Sequence, residues 1–172
     1  MWTGLAVEPA PVDDRRVLDL RTGVLERMEL AAGAPPLRTV RLASITVPGV
    51  VAMRAEALAA RLPRPGRPLR RPPGTRMPAD REDGMHWARV DADTGAGIAA
   101  VAVQRTRRDG PVRTVQRLAA YAGSGRCRPD PRAAAEALRA VGRLGFDQLL
   151  ADHRAAWARR WDAVDVQVRG DP

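Results

Sequence analysis

The sequence contains no lysine: all 29 of its basic residues are arginine, and against 20 acidic residues they leave a net charge of +9 over 172 residues. An excess of this size ordinarily points to nucleic acid. Two features point away from it. An arginine-only chain that is also rich in alanine and proline reads as the product of a GC-rich genome, and the arginines are spread along the whole chain rather than gathered in one arm. No nucleic-acid partner is expected. Cys127 is the single cysteine, which excludes an internal disulfide. Aromatic residues make up 3% of the chain, so a core must rest on Leu, Val, Ile and Ala. No apolar run approaches the roughly 18 residues of a membrane-spanning helix. Met1–Ala10 lacks the basic start and apolar run of a signal peptide. The expectation is a cytoplasmic protein with no membrane partner.

What is present is a series of short strand patterns. Arg16–Leu20 and Val24–Leu30 flank Arg21-Thr22-Gly23, and Gly23 can take the positive φ of a three-residue hairpin loop. Gly33-Ala34-Pro35-Pro36 reads as a breaker that ends the hairpin. Val40 and Leu42 then alternate with polar neighbours, Pro48-Gly49 makes a turn, and Val50–Leu58 continues as a strand in a meander, although its alanines also suit a helix over Met53–Arg61. Between Arg61 and Gly84 stand six prolines and seven arginines; missing backbone donors and mutual repulsion predict a loop over 61–84. Further strands are expected over His86–Asp91, Ile98–Thr106 and Val112–Ala122.

The C-terminal part changes period. Asp130 and Pro131 form an N-cap and first helical residue, Arg132–Arg143 is alanine-rich, and Gly145 can end that helix. A second helix follows over about Phe146–Trp161. Its residues Phe146, Leu149, Leu150, His153, Trp157 and Trp161 recur at spacings of three and four, which makes one apolar face. That face either packs on the strands or docks another body; Phe146, Leu150, His153, Trp157 and Trp161 are the candidate domain-docking residues.

No catalytic, cofactor or metal site can be assembled from the sequence. Gly95-Ala96-Gly97-Ile98-Ala99-Ala100 fits a loose dinucleotide pattern, but a strand rather than a helix follows it, so it reads as a hairpin turn. Gly123-Ser124-Gly125 is too short for a nucleophile elbow, and Ser44 is the only other serine. His86 and His153 are far apart and lack Cys or carboxylate neighbours at metal spacing. The acidic pairs Asp13-Asp14, Glu82-Asp83 and Asp91/Asp93 are expected in loops, with no dry pocket to raise one pKa for glycoside hydrolysis.

Taken in order, several stretches resemble one family. Val17–Arg27 is similar to the "LDLRTGxLxR" hairpin of glycoside hydrolase family 65, and Arg38-Thr39-Val40-Arg41-Leu42-Ala43-Ser44 resembles the strand that follows it there. Pro48–Arg54, His153–Trp161, Asp165-Val166 and Gly170-Asp171-Pro172 are similar to later stretches, ending in the helix and tail that lead into that family's catalytic barrel. The resemblance implies a mainly β fold: an antiparallel β-sandwich of the supersandwich, galactose-mutarotase-like type, incomplete at its start, over 1–128, followed by two linker α-helices over 129–172. It implies a non-catalytic N-terminal segment of a phosphorylase or hydrolase of α-linked disaccharides such as maltose, trehalose and kojibiose, inactive alone. The family's general-acid Glu lies in an (α/α)6 barrel, and no position here corresponds to it. The implied partners are that barrel, the disaccharide of the full enzyme and a second subunit in a homodimer; inorganic phosphate would be a co-substrate of the full enzyme rather than a cofactor of this segment. Both ends look truncated beside the family. The alternative reading is a stand-alone carbohydrate- or polyanion-binding module, for which Trp87 and Tyr121 are the only aromatic platforms in the strand region.

Overall fold

A computed structural model describes residues 12–58, 81–82, 85–91, 97–124 and 131–164. Among them are eight strands, β1 (Asp13–Asp19), β2 (Val24–Ala31), β3 (Ala34–Ala43), β4 (Val50–Leu58), β5 (Arg81–Glu82), β6 (Met85–Asp91), β7 (Gly97–Asp109) and β8 (Val112–Ser124), and the helix α1 (Pro131–Val164). This is the mainly β, antiparallel, sandwich-like domain followed by helix that the sequence leads one to expect. The strands are continuous in one sheet of order β1-β2-β3-β4-β8-β7-β6-β5. Two meanders therefore meet at their last strands, β4 and β8, which pair antiparallel from Val50↔Ala120 to Leu58↔Val112.

The period-two pattern gives each strand two distinct faces. On one face Leu42, Val50, Ala52, Val101, Leu118 and Ala120 form a core with Ala134, Ala135, Leu138, Val141, Phe146 and Leu149 of α1. The helix thus lies across β4, β7 and β8. The other face has its own buried groups: Leu37, Ala55, Ala57 and Val115 in one, and Ala100, Ala102 and Ala119 in another. Strands covered on both faces suit small side chains, which accounts for the many alanines of β4, β7 and β8.

Several expectations are refined. The first turn spans four residues, because Asp19 pairs with Val24. Its polar groups are satisfied locally: the Arg21 N–H donates to Asp19 Oδ1 at 2.9 Å and the Thr22 hydroxyl to Asp19 Oδ2 at 2.7 Å. Pro35 and Pro36 do not end the hairpin but lie inside β3. They are tolerated because the β2–β3 register shifts between Glu29 and Ala31, and β3 pairs with β4 only from Arg38 onward. At that end of β3 the missing donors interrupt no regular ladder. Val50–Leu58 is strand throughout, so its alanines follow the sheet rather than their helical propensity.

Arg81–Glu82, at the end of the proline-rich stretch, pair with Met85 and His86 as a short strand; the remainder of 61–84 lies outside the described residues. The expected turn at Asp93–Ala96, the cap Asp130 and the tail from Asp165 also lie outside them. The two expected helices are one helical run broken at Gly145, whose φ of 82° and ψ of 170° are open to glycine almost alone. No helix among the described residues is long and apolar enough to cross a membrane.

Candidate docking site of the C-terminal helix

The five residues named from helical spacing do lie along one side of α1, and the chain's own sheet meets them. Phe146 is 2% exposed and belongs to the shared core, with Leu150 packed beside it. The Arg54 guanidinium stands 4.3 Å from the centre of the Phe146 ring, and the same arginine holds Asp147 at 2.7 Å. That pairing keeps the Asp147 carboxyl below its ordinary range, chiefly through the hydrogen bond from Arg54.

His153 is the most buried of the five, at 0% exposure. Two backbone groups from connections at the same end of the sheet meet its ring. The N–H of Ile45, in the connection between β3 and β4, donates to Nδ1 at 3.3 Å, and Nε2 lies 3.3 Å from the carbonyl of Gly23 in the first turn. Because Nδ1 accepts, the network assigns the proton to Nε2, which donates to Gly23. A second proton would have to displace the Ile45 N–H. Burial accordingly holds the His153 pKa below its ordinary value, with the Gly23 carbonyl opposing that shift.

One turn further on, Trp157 meets the His153 ring edge to face at 6.3 Å. Its indole also lies against Gly23 so closely that any Cβ there would strike Nε1. Gly23 serves twice: its φ of 63° closes the turn and its bare Cα admits the indole. Trp161 completes the row. Its Nε1 donates to the Leu20 carbonyl at 3.1 Å, and the Arg21 guanidinium stands 6.0 Å from its ring. The side of α1 read as a docking surface therefore fastens the helix to the first hairpin. The β3–β4 connection that supplies Ile45 is itself braced by Ser44, whose Oγ accepts from the Val47 N–H at 3.0 Å and lies 3.1 Å from the Thr46 hydroxyl.

The acidic pairs expected in loops are placed differently. Asp13 and Asp14 are in β1, Glu82 is in β5 and Asp91 is in β6. Asp14 accepts from Arg27 at 2.6 Å and from Arg16 at 2.6 Å, and both guanidiniums hold its carboxyl far below the usual range. Arg27 also reaches Glu29 at 2.6 Å. The Asp14 carboxylate, bound in this way, is committed to its ion pairs and stays ionised. Tyr121 is half-buried beside Ala100, Ala102 and Ala119, and burial pushes its phenol up. Residues 97–100, the end of the glycine pattern, open β7 in an antiparallel pair with β6, so no strand–turn–helix unit forms there. Among the described residues no group of three or more His, Cys, Asp or Glu could hold a metal ion.

No protein-family model matches the chain, and no curated protein matches it in sequence. Among solved structures the chain is similar to a candidate kojibiose phosphorylase from the human microbiome, with a TM-score of 0.69 and 12% sequence identity. The match covers 90% of this chain and 24% of that one. At such an identity the likeness is one of fold, and this chain has the fold of a segment about a quarter (24%) as long as that protein.

Proposed function

We propose that the chain is the non-catalytic N-terminal segment of a family 65 glycoside phosphorylase or hydrolase acting on α-linked disaccharides, and that it is inactive alone. One observation carries this reading: a β-sheet and C-terminal helix that follow a segment of a candidate kojibiose phosphorylase over 90% of this chain. The ordered series of sequence resemblances, from the Val17–Arg27 hairpin to the His153–Trp161 helix, supports it independently. In this reading the sheet supports an (α/α)6 barrel that follows Pro172 and supplies the general acid. Phe146, Leu150, His153, Trp157 and Trp161 act indirectly, by fixing the angle at which α1 leaves the sheet. The assembled enzyme works in the cytoplasm, as a homodimer, with inorganic phosphate as co-substrate if it is a phosphorylase.

Two experiments test this reading. The reading frame downstream of Pro172, followed through any frameshift, is expected to encode a helical barrel; its absence overturns the proposal. The chain alone, assayed for phosphorolysis and hydrolysis of kojibiose, maltose and trehalose, is expected to show no turnover, and turnover of any of the three refutes it.

A further inference from the structure

On the face that α1 covers, the helix leaves part of β1, β2 and β3 open. A groove of about 580 Å³ lies there, between those strands and Arg154 of the helix. A volume of this order suits a small ligand. Val17, Val24 and Met28 supply an apolar floor; Val24 is buried, but Val17 is 47% and Met28 37% exposed. The rim is charged, with Arg15, Arg38 and Arg154 against Asp19 and Glu26.

These charges differ in what they already hold. Arg38 reaches Glu26 at 3.1 Å, an exposed pair whose remaining lone pairs and N–H groups are open. Asp19 is held by Thr22 and the Arg21 N–H. Arg15 and Arg154 make no ion pair or hydrogen bond with a described residue. Arg154 is near enough to Asp19 to favour its charged form, a smaller contribution than the turn's own hydrogen bonds. The rim therefore combines guanidinium forks suited to an oxyanion with carboxylates suited to hydroxyl donors. Arg15 and Asp19 are four residues apart on β1, about 13 Å at the rise of an extended strand. That span is longer than a bare phosphate needs.

We infer that this groove binds a small polyhydroxylated anion of the sugar phosphate class, its oxyanion taken by Arg15 or Arg154 and its hydroxyls by Glu26 and Asp19. The inference stands on the groove alone and holds whether or not the chain belongs to a larger enzyme.

The test is calorimetric titration of the full 172-residue chain with glucose 6-phosphate, glucose and inorganic phosphate, at moderate ionic strength. The sugar phosphate is expected to bind at least about tenfold more tightly than either of its halves, because each half leaves part of the rim unused. Arg15→Gln and Arg154→Gln each remove an exposed guanidinium, and at least one of them is expected to weaken binding about fivefold or more. Arg159→Gln, on an exposed part of α1 away from the groove, should leave binding unchanged. Circular dichroism melts confirm that each variant is folded, and Glu26→Gln offers a second probe of the rim. Inorganic phosphate binding as well as the sugar phosphate, equal losses with Arg159→Gln, or no saturable binding at all would each overturn the assignment.

Discussion

Acid should loosen the helix from the sheet through one imidazole. His153 is neutral in the folded chain, because Nδ1 must accept from Ile45 and burial disfavours the cation. Its pKa is therefore lower folded than unfolded, where it returns to the ordinary 6.5. The unfolded chain then binds more protons, so stability is full above about pH 6.5 and falls as pH drops below it. The slope approaches about 1.4 kcal/mol per pH unit and levels off once the pH passes the folded value. By about pH 5 the loss reaches at most about 2 kcal/mol. The carboxylates with depressed pKa values, Asp14, Asp19 and Asp147, titrate below the ordinary 3.8 of an aspartate, outside this window. The assay is urea unfolding followed by tryptophan fluorescence from about pH 8 to 5, on the wild type and on His153→Gln. The variant loses some stability at every pH but should lack the slope, and His86, present in both proteins, cancels in the difference. A gap between wild type and variant that stays constant across the range would refute the reasoning.

Other substitutions probe the same fastening. Phe146→Ala empties a site buried at the sheet–helix core and should cost about 3 to 5 kcal/mol in chemical denaturation. Gly23→Ala must bear both a positive φ and a collision with the Trp157 indole, so it should cost more than the roughly 1 kcal/mol of the backbone alone. In a Trp157→Ala background the cost should shrink toward that figure, measured as a double-mutant cycle. Gly145→Ala forces a side chain onto a backbone conformation reserved for glycine and should cost about 1 to 3 kcal/mol, read from the same unfolding curves.

The sequence made the local structure plain where one residue decides it. Gly23 marked the first turn, Gly145 the break in the helix, and the alternation of Val40 and Leu42 the strand around them. Pro35 and Pro36 misled because a proline's effect in a strand depends on which neighbour the missing donor faces, and pairing is not written locally. Asp13 and Asp14 looked like loop residues for the related reason that strand pairing is not written locally: of the two arginines that secure Asp14, Arg16 and Arg27, the second sits on another strand. The helical spacing picked out the side of α1 that makes contact but not what it contacts. His153 and Gly23 are 130 residues apart, and no pattern in a single sequence links positions at that distance. The fold likeness to a longer protein locates the sheet and helix, while the groove beside Arg154 has no sequence signature, since its walls come from three strands and a distant helix.

The bond from Trp161 to the Leu20 carbonyl spans 141 residues, nearly the whole described chain. A contact of such separation cannot guide early folding, because closing so large a loop yields nothing until the sheet between its ends exists. On a ribosome the first hairpin is made early and waits, its turn unclasped, until the last helix has emerged. The clasp is thus a late event that should act on the rate of unfolding more than on the rate of folding. Trp161→Phe, which removes the indole donor, should therefore speed unfolding more than it slows folding in stopped-flow measurements.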